Sequence, residues 1–131
     1  MLSEGKWQDY VVFDEEPELL RISFLGQWPN GEQSQQVRAH LRDTGLWRSE
    51  RPVLMDLRRV TIAGTPPFAE MQRRTDAWKL LTTPPPRIAF VASPGANYGF
   101  ARMLEQQWGT ESIATFEGEA EARHWLLAGH S

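Results

Sequence analysis

The most chemically suggestive feature of this chain is a carboxylate flanked by arginines. Asp56 is followed by Leu57 and then by Arg58 and Arg59. An acid in such a position can act as a general acid or base, or can pair with guanidinium groups. Two adjacent arginines suit a carboxylate or phosphate, because guanidinium donors match planar anions. Tyr98 and Arg102 lie four apart farther along the chain. If they face the same crevice as Arg58 and Arg59, the arginines could grip an anionic head group, with Tyr98 as a ligand-facing ring. The alternative is that Arg102 pairs with nearby acids and Tyr98 is ordinary helix packing. The stretch from Ser93 to Gly99 turns a strand into a helix and offers free amides that favour an anion. It lacks both the Walker lysine and the three-glycine dinucleotide spacing.

Other chemistry finds little footing. Nucleophilic catalysis needs a base beside the nucleophile and a group to orient it. The histidines are His40, His124 and His130. His40 falls on a polar helical stretch, His124 beside the apolar Trp125, and His130 next to the C-terminal residue. None falls at a strand end. No two histidines have helical ligand spacing and no acid-rich calcium loop occurs, so neither a metal nor another cofactor is expected. The chain has no cysteine, which removes thiolate chemistry and disulfides. We therefore expect no enzymatic activity.

The 131 residues amount to one domain, with a core over about residues 10–127. A net charge of −3 provides no global basic field, so nucleic acid is not an expected partner. The polar start Met1-Leu2-Ser3-Glu4-Gly5-Lys6 does not read as a signal peptide, and no apolar run spans a bilayer. A cytoplasmic protein that is not membrane-embedded is expected. Six tryptophans are many for this length, and surface aromatic residues mark interfaces.

The elements that must position these groups follow from apolar periodicity. Tyr10–Phe13 and Leu19–Leu25 alternate as an antiparallel hairpin. Gln33–Thr44 reads as a helix with Val37 and Leu41 inward and Gly45 as its stop. Pro52–Leu57 is an apolar strand ending at the acid. Thr65 is a candidate N-cap, with Pro66 and Pro67 in the first turn of a second helix. Phe68, Met71, Thr75 and Trp78 follow at spacings of three and four, ahead of Pro84-Pro85-Pro86. Arg87–Ala92 is a buried strand, and the next helix carries Ala101, Leu104 and Trp108 inward to Gly109. Ser112–Phe116 and a last helix with Ala122, Trp125 and Leu126 complete the chain. This order predicts an α/β fold: a mostly parallel five-stranded sheet, an antiparallel N-terminal hairpin strand and about four helices. Ligands of such sheets usually sit at the carboxyl ends of the strands.

Four segments carry a resemblance to a known family. They are Val53-Leu54-Met55-Asp56-Leu57-Arg58, Arg87-Ile88-Ala89-Phe90-Val91, Tyr98–Glu105, and Ala114-Thr115-Phe116 followed by Glu121–Leu126. In order and spacing they resemble the SpoIIAA-like group of the STAS domains, which is related in fold to the lipid-binding CRAL-TRIO (Sec14) domains. The resemblance implies a regulatory or binding module. In antagonists of this type a phosphorylated Ser follows a strand end resembling Asp-Leu; here Arg58 stands in that place.

Two functions follow as expectations. The first is a protein-interaction module that contacts a protein partner or a second copy of itself through Phe68, Met71 and Trp78. The second is a carrier for a small amphipathic or lipid-like anion, with an apolar cavity under the second helix and a cationic mouth at Arg58 and Arg59.

Overall fold

The N-terminal apolar runs form β1 (Val11–Glu15) and β2 (Leu20–Gln27). They pair antiparallel, with Val11 opposite Phe24 and Glu15 opposite Leu20. This is a computed structural model, and it describes residues 6–62, 67–109 and 111–128. Before β1, Trp7–Asp9 forms one 3-10 turn. Then come α1 (Gly31–Thr44), β3 (Val53–Thr61), α2 (Phe68–Lys79), β4 (Ile88–Val91), α3 (Ala96–Trp108), β5 (Ile113–Phe116) and α4 (Glu119–Ala128). The sheet order is β1-β2-β3-β4-β5, and every pair after the first is parallel. The predicted architecture is therefore the observed one.

Each crossover steps the same way along the sheet. Crossovers of one hand then place α1, α2 and α3 on a single face. Their inward residues Val37, Leu41, Met71, Phe100, Leu104 and Trp108 share a core with Ile22, Met55 and Phe90 of the strands. Among the described residues the other face is covered by α4, whose Ala122 and Leu126 pack on Leu19, Leu54, Ala89 and Val91. Alternation along β3 thus sends Val53, Met55 and Leu57 to the helical face and Leu54 and Asp56 to the α4 face. Because the strand order never reverses, the internal reversal at which doubly wound sheets open a crevice is missing.

The strands of the hairpin, β4 and β5 differ from the sequence reading by one or two residues at their ends, and three further boundaries differ with a physical cause. Helix α1 starts earlier, at Gly31, because Asn30 caps it. The Asn30 side chain accepts from the Gln33 amide at 2.8 Å, while the Gln33 side chain accepts from the Asn30 amide at 2.9 Å. Its end at Gly45 (φ 71°) is as read, in the left-handed region that favours glycine. Strand β3 does not stop near Asp56 but continues to Thr61. The register against β2 shifts between Ser23 and Leu25, and this bulge turns both Arg58 and Arg59 outward while returning Val60 to the core. Past the end of β4, the Asn97 amide takes over as partner and donates to the carbonyls of Leu57 (2.7 Å) and Val60 (2.9 Å). Finally, within the Ser93–Gly99 stretch read as the turn from strand to helix, α3 opens at Ala96. The expected N-cap Thr65 and first-turn Pro66 lie outside the described residues; Pro67 occupies the position before α2.

Candidate functional site

On the α4 face, Asp56 is the centre of a charge network. Only 8% of its side chain is exposed. Arg21, projecting from β2 on the same face, donates to it at 2.7 Å. Arg58 donates three times, from its backbone amide (3.0 Å), Nε (2.9 Å) and a terminal nitrogen (2.8 Å). Glu119, in the first turn of α4, accepts from Arg21 (2.6 Å), Arg58 (3.0 Å) and Arg123 (2.8 Å). Arg123 in turn forks onto both oxygens of Glu16 at 2.7 and 2.8 Å. Three carboxylates and three guanidiniums thus alternate across the junction of sheet and helix.

The pairing sets the protonation of the acids. Burial pushes the Asp56 carboxyl up, but the side-chain and backbone hydrogen bonds of Arg58 and the charges of Arg58 and Arg21 outweigh it, and the net direction is down. The hydrogen bond from Arg21 is the largest influence on Glu119 and, with Arg123, lowers it to about 2 against partial burial. Glu16 is held down by its hydrogen bond from Arg123. Folded values below the unfolded ones give stability that is present above the ordinary carboxylate range and lost as pH falls through the folded values. We expect stability to fall as pH drops from about 5 toward 2. Urea midpoints measured across that range check this, and Glu119→Gln should flatten the slope. An unchanged slope would mean that the ion pairs of Glu119 do not survive in solution.

The structure brings Asp56, Arg58 and Arg59 to one depression beside Arg21 and separates the other expected site residues. Arg59 points out of the bulge and has no ion pair among the described residues. Arg102 is on α3, on the opposite face, 3.7 Å from Glu105, so it does not converge with Arg58 and Arg59. Tyr98 packs against the helical-face core rather than beside Arg58. On α2, Met71 is 2% exposed and belongs to the core, so it offers no surface to a protein partner. Trp78 is half-buried, edge-on to Trp47 at 5.2 Å. Phe68 is 63% exposed and Leu80 80%, so only the two ends of α2 present apolar side chains to solvent.

A second site lies on the helical face, between the sheet, α1 and α2. Its cavity volume is about 40 Å³. Phe24, Trp28, Phe90, Trp78 and Trp108 supply aromatic walls, Met55 and Met71 fill between them, and Ser34 and Thr75 add hydroxyls. The charged residue in the wall is Arg74 of α2. The cavity expected under the second helix is therefore present, but its cation is Arg74, not Arg58 and Arg59, which sit across the sheet. Sequence reading missed Arg74, and missed Arg21, Glu119 and Arg123 in the network.

No protein-family model matches the sequence, and no curated protein matches it. Among solved structures, an uncharacterized protein from the DUF3478 family with a SpoIIAA-like fold, from Shewanella loihica PV-4, aligns with a TM-score of 0.60. The two are 17% identical over 88% of this chain and 91% of that one. This chain has a SpoIIAA-like fold. The likeness to the SpoIIAA-like group read from the four sequence segments is thus borne out for the fold. In this SpoIIAA-like frame Arg58 lies inside β3, at the bulge, and its guanidinium is committed to Asp56 and Glu119. Among the described residues no helix is long and apolar enough to cross a membrane, and no cluster of His, Cys, Asp and Glu is arranged to hold a metal ion.

Proposed function

We propose that the chain is a non-enzymatic binding module that takes a small apolar molecule in the pocket beneath α2. The observation that carries this reading is the aromatic cavity between Met71, Thr75 and Trp78 of α2 and Met55 and Phe90 of the sheet. Apolar pockets with a few polar groups are the usual form of a small-molecule site. About 40 Å³ is room for roughly three waters, so a ring-sized ligand requires Met71 and Trp78 to shift. Methionine adapts readily to such demands. The state of Asp56 supports a non-enzymatic role, since a carboxylate clamped by two guanidiniums and held below its usual range is a poor general acid. His40 packs in a three-ring cluster with Trp7 and Phe13, ring centroids 5.0 and 5.3 Å away, remote from Asp56.

Trp28, Trp78 and Trp108 line the pocket, so ligand entry should be visible in tryptophan emission. We expect saturable fluorescence change on titration with toluene, and a raised melting temperature. A flat titration together with an unchanged melt would sink the proposal. Native mass spectrometry of the purified chain would show any ligand that co-purifies.

Exposed Phe68 and Leu80 favour a second reading, in which α2 contacts a protein partner or a second copy of the chain. Sedimentation of the wild type and of a Phe68→Ser, Leu80→Ser variant tests self-association. A concentration-dependent dimer lost in the variant would support it.

A further inference from the structure

We infer that the pocket takes a small apolar molecule ending in a carboxylate, that Arg74 holds that carboxylate, and that Glu70 occupies its place in the unliganded chain. The inference rests on the binding reading above and names its ligand class.

The wall around Arg74 is short of acceptors. Its side chain is 12% exposed. One terminal nitrogen donates to the Pro29 carbonyl at 3.2 Å and the other to the Glu70 carboxylate one turn earlier on α2. Its Nε is buried with no hydrogen-bond partner among the described residues. The indole nitrogen of Trp28, which lines the same pocket and precedes Pro29, is in the same condition. So is a terminal nitrogen of Arg38 on α1. Burial, and then the nearby charge of Arg74, make the Arg38 cation harder to hold. Buried donors in native proteins nearly always find acceptors, so the donors of Arg74 and Trp28 in the pocket wall point to a partner that is not protein.

The charge balance points the same way. Arg74 is paired with the carboxylate of Glu70, itself 39% exposed, while the charge of Arg74 also bears on Arg38. Arg74 also sits over the first turn of α1, with a terminal nitrogen 3.5 Å from where a Cβ on Gly31 would stand. That is the positive end of a 14-residue helix, where a cation is disfavoured and an anion favoured. A carboxylate fits this deficit: it is planar, accepts from several donors, and matches the edge of a guanidinium. Glu70 shows that the guanidinium already binds one. A ligand carboxylate would displace Glu70 toward solvent and leave its apolar body among Phe24, Trp28, Trp78 and Phe90.

The test uses the full chain and three probes that share a ring: phenylacetate, its neutral amide, and toluene. Binding is followed by tryptophan fluorescence at neutral pH. Phenylacetate should bind at least about ten-fold more tightly than phenylacetamide, as expected for a charged hydrogen-bonded pair. Glu70→Gln removes the internal competitor and should tighten phenylacetate by about ten-fold while leaving toluene unchanged. Arg74→Met should abolish the preference for the acid and keep toluene binding. If that variant does not fold, Arg74→Lys decides the matter, since it keeps the charge but loses the guanidinium fork and should lower acid affinity while keeping toluene binding. Toluene binding with no preference for acid over amide, or no gain in Glu70→Gln, overturns the carboxylate inference and leaves the pocket reading standing. No binding of any probe overturns both.

Discussion

Replacing Asp56 by alanine is expected to lower the unfolding free energy by about 3 kcal/mol, the low end of the cost of breaking a buried ion pair from one side. The reason is the state of what remains. Asp56 is the acceptor for four hydrogen bonds, one from Arg21 and three from Arg58. Without it, Arg21, mostly buried between the sheet and α4, keeps only Glu119 as its acid. The bulged backbone at Arg58 also loses the acceptor for its amide. The low end applies because Glu119 still neutralises part of the charge. Urea unfolding followed by tryptophan fluorescence measures the loss. Asp43→Ala is the internal control, since its pair with Arg42 is exposed and should be worth less than about 0.5 kcal/mol. Equal, small losses in both variants would show that solvent screens the network as it screens a surface pair.

That network shows where sequence reading stops. The alternation of Leu20, Ile22 and Phe24 places Arg21 on the opposite side of β2, and the pattern is right. It does not reveal that α4 covers that side, where Arg21 is mostly enclosed. Pairing between Arg21 and Glu119 spans 98 positions and leaves no local trace. The same gap separates Arg102 from Arg58: one crosses above the sheet on α3, the other lies below it on β3, and spacing along the chain cannot choose the face. Glycine stops were legible because Gly45 and Gly109 need positive φ, which few other residues adopt. The extent of β3 was not, because two arginines in succession break the apolar run and the bulge that accommodates them has no sequence mark. For α2, the stripe Phe68, Met71, Thr75 and Trp78 was read from its spacing, with Phe68, Met71 and Trp78 as a contact surface, whereas Met71 and Thr75 are buried. Phe68, at the same spacing, opens the helix and is left exposed there. Arg74 adjoins that stripe, and its neighbours Trp28 and Pro29 come from another loop, so the pocket it serves exists only in the folded chain.

The pocket also makes a prediction about stability that separates it from the rest of the core. Phe90 lies on β4, with β3 and β5 as neighbours, is 2% exposed, and forms part of the pocket wall. Phe90→Ala should cost about 3–5 kcal/mol, the transfer free energy of the ring plus a cavity that rigid strands cannot close. Domains of this kind are typically stable by only about 5–15 kcal/mol, so the variant should be close to its unfolding threshold. The vacated space adjoins an apolar cavity, and apolar cavities stay dry and admit apolar guests. Toluene at about 100 times its dissociation constant should therefore restore roughly 2.7 kcal/mol by mass action. Leu54→Ala supplies the contrast. Leu54 is on the neighbouring strand, equally buried, but faces α4 in the other core cluster, away from the pocket. It should cost about 2–5 kcal/mol and gain little from toluene. Thermal melts of the two variants with and without toluene thus form a cycle in which any general solvent effect cancels. Recovery confined to Phe90→Ala places the guest beneath α2; equal recovery in both would mean that the ligand acts on the chain at large and that the cavity is not a site.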